Sequence, residues 1–126
     1  MLPARQRLTR AVDFTATVRY GSRVARPRVV VHARQAREST SVPDATVPDA
    51  GVRVGLVVSK AVGSAVVRHR VSRRLRHVIA PVLTAVPAGT DLVLRALPLA
   101  ATSSSAELGA DVHSALVRLR LLGGSR

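Results

Sequence analysis

Five arginines fall between Arg68 and Arg76, inside the run Val66-Val67-Arg68-His69-Arg70-Val71-Ser72-Arg73-Arg74-Leu75-Arg76-His77. No Asp or Glu occurs between Asp49 and Asp91, so nothing nearby in the chain neutralises them. Like charges one helical turn apart repel, and a solvated helix face ordinarily mixes signs. Guanidinium groups left uncompensated on one short element suit phosphate, which Arg grips through two parallel hydrogen bonds.

Other chemistries find few residues here. The chain has no cysteine, which removes disulfides, zinc fingers and thiol catalysis together. Its seven acids are too few and too scattered for a catalytic carboxylate pair. Gly51, Gly55 and Gly63 lack the spacing of a nucleotide-binding loop, and Lys60, the only lysine, is in no Walker sequence. The histidines are His32, His69, His77 and His113. His69 and His77, eight residues apart, stand two turns from each other, a poor spacing for a shared metal. The expectation is therefore no protein-bound metal and no catalytic residue in this chain.

The elements that position the basic run can be read from periodicity. Val52 to Ser59 alternates apolar and polar and predicts a half-buried strand. Ser59-Lys60-Ala61-Val62-Gly63-Ser64 turns into a helix running from about Ser64 to Ile79, stopped by Pro81. At about 100° per residue, Val67, Val71, Leu75, Val78, Ile79 and Val82 share one arc, and His69, Arg70, Arg73, Arg74, Arg76 and His77 share the opposite side. Arg68 falls at the edge of the apolar arc, within reach of the sheet edge.

Elsewhere, Thr9 to Tyr20 has a helical stripe ended by Gly21. Arg28 to Arg34 and Thr90 to Leu97 read as strands, and residues 22–26 have room for an extra short one. Ser104-Ser105-Ala106-Glu107 is a capping box opening a last helix. Its stripe is Leu108, Val112, Ala115, Leu116, Leu119 and Leu122, with Gly123 and Gly124 as its expected end. Residues 35–51 hold the near-repeat Val42-Pro43-Asp44-Ala45 and Val47-Pro48-Asp49-Ala50 and predict a flexible insertion loop. The order α-β-β-α-β-α makes an α+β domain, a single sheet covered by helices, over residues 1–126.

The totals agree with a polyanion partner. Net charge is +13, from 20 basic residues against 7 acids. At 47% hydrophobic the chain can bury a core, almost entirely aliphatic because Phe14 and Tyr20 are its only aromatics. That scarcity argues against an RRM or OB surface, which stacks bases on exposed rings. Strands between the helices argue against a helix-turn-helix, and so against DNA as the partner. No apolar run approaches the roughly 18 residues of a membrane span, and no signal region follows Arg5, Arg7 and Arg10. A soluble, cytoplasmic RNA-binding protein is the expectation, with no membrane partner. Phe14 suits either the core or a stacking role.

These residues also carry a resemblance. Asp13-Phe14 in the first helix, then the whole run from Gly55 through Ser59-Lys60 and Gly63-Ser64 to Arg76, resembles the protein component of bacterial ribonuclease P. Arg7-Leu8, Asp91-Leu92-Val93-Leu94-Arg95 and the closing helix extend the likeness over nearly the whole chain outside 35–51.

The resemblance implies a left-handed β-α-β crossover through the basic helix, as in the ribosomal protein S5 domain 2-like fold; right-handed crossovers are otherwise the rule. It implies an accessory subunit of an RNA-based endoribonuclease that removes the 5′ leader of precursor tRNA. The chemistry belongs to the ribonuclease P RNA, and Mg²⁺ is held mainly by that RNA. Arg68, His69, Arg70, Arg73, Arg74, Arg76, Ser59 and Lys60 would meet RNA, and Phe14, Arg28, Val30 and His32 would line the leader cleft. The chain departs from the family at His69, where Asn is usual, at Ser72 for Lys, and at His77 for an acid. His32 and Val18 replace aromatics, so charge should do more of the leader binding. A basic ribosomal or RNA-chaperone protein is the alternative reading, and a nuclease acting alone is disfavoured by the scarcity of acids.

Overall fold

The computed structural model describes residues 7–8, 11–35 and 52–122, with the backbone alone at 11–13. Of the insertion expected at 35–51, Gln35 is instead the last residue of a strand, and residues 36–51 lie outside the described residues. The elements are α1 (Ala11–Tyr20), β1 (Ser22–Ala25), β2 (Val29–Gln35), β3 (Arg53–Val57), α2 (Ala65–Ile79), β4 (Thr90–Ala96) and α3 (Ser105–Arg118). Short 3-10 helices follow α2 at Ala80–Ala85 and β4 at Pro98–Thr102. The extra strand at 22–26 is present as β1.

The four strands lie in the order β1-β2-β4-β3. The β1/β2 and β2/β4 pairs are antiparallel, whereas β3 and β4 are parallel neighbours joined through α2. Arg7 makes a parallel bridge to Val54, and the Leu8 amide donates to the Val54 carbonyl at 2.8 Å, so the outer edge of β3 is paired. β4 is the central strand and is buried along nearly its whole length, which is why Leu92, Val93 and Leu94 run without a polar break.

One face of the sheet carries the core. Val29, Val31, Ala33, Val54, Leu92, Leu94 and Ala96 meet Val71, Leu75 and Ile79 of α2 and Leu108, Val112, Ala115 and Leu116 of α3. The residues between them along the strands point to the other face, which α1 crosses.

α2 starts where the sequence places it. The Ser64 hydroxyl caps it by accepting from the Val67 amide at 3.3 Å. It tightens into a 3-10 turn at Ala80, next to Pro81. The far end of α3 differs from expectation. The helix stops at Arg118 rather than at the glycines, because Arg120 adopts a left-handed backbone with φ 63°. The Leu121 amide reaches back to the Leu116 carbonyl at 2.9 Å and the Arg120 amide to that of Val117 at 2.9 Å, a Schellman closure in which Arg stands where Gly is usual. Leu122 is still buried, but from the turn beyond the helix.

Candidate nucleic-acid interface

The α2 arginines divide into two sets. His69, Arg73 and His77 are exposed and Arg76 is half-buried; together these four line one surface hollow. This is the side opposite Val71, Leu75 and Ile79, as helical spacing requires. Two guanidinium groups and two imidazoles thus line this side with no acid among them.

Arg70 and Arg74 were expected on the same outward face and are not there. They sit on the flank of α2 that meets the segment after β4. Arg70 donates to the Ala101 carbonyl at 3.1 Å and Arg74 to the Ser103 carbonyl at 2.7 Å. Those carbonyls end a 3-10 helix and lack partners within it, so guanidinium groups satisfy them. Arg68 turns back along its own helix start, its Nε donating to the Gly63 carbonyl at 3.2 Å. Ser59 and Lys60 are exposed in the turn just before, where the Ser59 hydroxyl accepts from the Ala61 amide at 3.3 Å. Gly63 takes φ 154° there, a conformation that favours glycine, and a Cβ would press on Val67.

A second set of expected site residues lies on the sheet face crossed by α1. Phe14 rests its ring directly on the backbone of Gly55, where any Cβ would collide with it. Gly55 pairs with Val93, which pairs with His32, so Phe14 and His32 share one row across the sheet. Val30 lies on the same face and is half-buried. His32 is buried; its burial first, then the charges of Arg23 and Arg95, lower its pKa below the usual imidazole value.

Arg28 does not belong to this cleft. Its side chain goes to the opposite layer, donating to the Ser103 hydroxyl at 3.1 Å and pairing with Asp111 at 3.4 Å and Glu107 at 3.6 Å. Its amide donates to the other Asp111 oxygen at 3.0 Å. The sequence does carry a signal for this: Glu107 and Asp111 stand four apart on α3 and make an acidic pair in a basic protein. The Ser104 amide first, and Arg28 second, hold the Glu107 carboxyl below its ordinary range. Arg95, which the sequence reading passed over, is exposed on the cleft face opposite Val30. Its odd register within β4, set against Leu92 and Leu94, was the available clue.

The Phe14–Gly55 contact has a measurable consequence. Gly55→Ala should lower stability by about 1–3 kcal/mol, and adding Phe14→Ala should recover part of that loss, since the collision then disappears. Urea unfolding of the single and double variants checks this; additive losses would show that ring and backbone do not interact.

The family model described as Ribonuclease P matches residues 2–120. A ribonuclease P protein component from Rhodococcus opacus is 52% identical over 122 residues, covering 97% of this chain and 94% of the relative. Its counterpart from Mycolicibacterium paratuberculosis is 52% identical over 119 residues, covering 94% and 95%. Among solved structures, the Staphylococcus aureus RNase P protein superposes with a TM-score of 0.75 at 20% identity, covering 94% of this chain and 98% of that one. The Thermotoga maritima RNase P protein gives 0.70 at 19% identity, covering 93% and 98%. At such identities the structural matches speak to fold alone, and the fold is shared.

Proposed function

This chain belongs to the ribonuclease P protein family, and on that premise we propose that it binds the ribonuclease P RNA through the outward face of α2 and the 5′ leader of precursor tRNA along the sheet face beside Phe14. The observation that carries the reading is a face with no acid among the described residues that line it: Arg73 and Arg76, with His69 and His77, around one hollow. Ser59 and Lys60 extend the cationic surface at the helix start, and Arg68, Arg70 and Arg74 set how that surface is held.

In this reading the cleavage chemistry resides in the RNA. The described side chains do not fit a Mg²⁺ site. Asp91 is held by Arg53 at 2.9 Å, and Glu107 and Asp111 are held by Arg28, so these carboxylates are not presented together to a hard cation. The ion is held mainly by the RNA, and no step runs through a protein-bound metal. The protein's contribution is electrostatic. Catalyst and substrate are both polyanions, and guanidinium groups between them lower their repulsion and so the Mg²⁺ needed. Added contacts to the leader favour precursor over mature tRNA. No helix among the described residues is long and apolar enough to cross a membrane; the reading places the protein beside RNA in the cytoplasm.

Reconstitution tests this. Protein plus ribonuclease P RNA at low Mg²⁺ should cleave precursor tRNA at its 5′ end, and protein alone should not. Affinity for the RNA should fall with salt at a log–log slope near −0.7 to −0.9 per phosphate neutralised. A salt-independent affinity, or cleavage without RNA, would refute the proposal.

A further inference from the structure

The sheet face under α1 holds a second cationic centre, separate from α2. Arg23 on β1 pairs across the sheet with His32 on β2, and Arg95 on β4 pairs with Val30, two residues along β2 from His32. Strand alternation puts all four side chains on the Phe14 side of the sheet. Arg23 and Arg95 are exposed, and His32, between them, is only 4% exposed. Both guanidinium groups come close enough to the imidazole to oppose its protonation, adding to the larger effect of burial. The imidazole therefore stays neutral at neutral pH, and its buried Nδ1 has no hydrogen-bond partner.

Two cations thus converge on one neutral group from strands two apart. The described acids are engaged elsewhere: Asp91 with Arg53, Glu107 and Asp111 with Arg28. Such a patch of like charge attracts an anion. Aromatic surface is sparse around this centre: Phe14 is half-buried on Gly55, and the one exposed ring, Tyr20, is at the end of α1 with the Arg19 guanidinium 5.8 Å from its centre.

We propose that Arg23 and Arg95 clamp a backbone phosphodiester of single-stranded RNA above His32, so that this cleft reads its strand by charge rather than by base. The subsite rests on the reading of this face as the leader cleft and adds its recognition chemistry: a leader is held with little regard to its sequence.

The test uses the reconstituted holoenzyme and precursor tRNA whose leader carries a single uncharged methylphosphonate linkage, moved one position at a time. Arg95→Ala should weaken precursor binding about tenfold or more, leave mature tRNA binding unchanged, and reduce the salt slope by about 0.7. Arg23→Ala should act in the same direction. At one linkage, methylphosphonate should cost the wild-type enzyme a similar factor and cost Arg95→Ala nothing more. Arg95→Lys should keep the salt slope while recovering only part of the affinity, since the two-pronged grip is lost. Full precursor affinity in both alanine variants, or additive losses at every linkage, would overturn the subsite while leaving the leader-cleft reading intact. Failure of the wild-type holoenzyme to prefer precursor over mature tRNA would overturn both.

Discussion

Replacing Arg73 and Arg76 together with alanine is expected to weaken association with ribonuclease P RNA by about a hundredfold or more. Each guanidinium that grips a phosphate contributes roughly 1.5–3 kcal/mol, the range for hydrogen bonds to charged groups, and two such losses multiply in affinity. Among the described residues neither side chain has a hydrogen-bond or ion-pair partner, and both line the outward hollow with His69 and His77. The fold should therefore survive, with an unchanged thermal transition. The matched control is Arg70→Ala with Arg74→Ala, which removes the same charge but uncovers the Ala101 and Ser103 carbonyls. That pair should lower stability first and RNA affinity second. Filter binding at several salt concentrations, beside thermal unfolding, separates the two. Equal affinity losses with equal melting temperatures would mean that α2 does not divide its arginines as the geometry indicates.

The second large effect is on stability. Asp91 is fully buried in β4 and takes two hydrogen bonds from Arg53 on the neighbouring parallel strand, at 3.0 and 2.9 Å. Asp91→Ala strips a paired, half-buried guanidinium of its counter-charge, and such truncations cost about 3–5 kcal/mol. For a chain of this size the melting temperature should drop by about 10 °C or more. Replacing both partners with apolar residues of similar volume should cost much less, because no charge is then stranded. A loss below about 1 kcal/mol in Asp91→Ala, by chemical denaturation, would mean water already solvates Arg53 there. The pair also fixes the β3/β4 register at the end where the chain returns from α2 into β4, so RNA affinity should fall along with stability near the transition.

Much of this was legible in the chain. Val52, Val54, Leu56 and Val58 alternate, and β3 forms there. Ser64 and Pro81 bracket α2, and its apolar arc is the buried one. The capping box at Ser104 and Glu107 forms as spelled, with bonds of 3.1 and 2.8 Å. The run from Gly55 to Arg76 is distinctive enough to point to the family. What misled was the treatment of arginine as a uniform surface charge. Arg28 reads like any cleft cation until α3 brings Glu107 and Asp111 against it from about 80 residues away. Arg95 reads as a surface residue until β2 and β4 align and place it opposite Val30.

Sequence by itself therefore determined the element types, the buried arcs of α2 and α3, the excess of positive charge and the family; in α1 it is Thr17 that is buried, while Thr15 and Val18 of the expected stripe are exposed. Those properties depend on spacing along the chain, which recurs every two or 3.6 residues whatever the rest of the molecule does. Tertiary structure alone decided which arginines are engaged inside the protein and which remain exposed. A long cationic side chain at the flank of an element can turn to either neighbour, and only docking supplies the carbonyl or carboxylate that settles its direction. Arg74 finds the Ser103 carbonyl at 2.7 Å, while Arg73, one residue earlier, faces the open hollow.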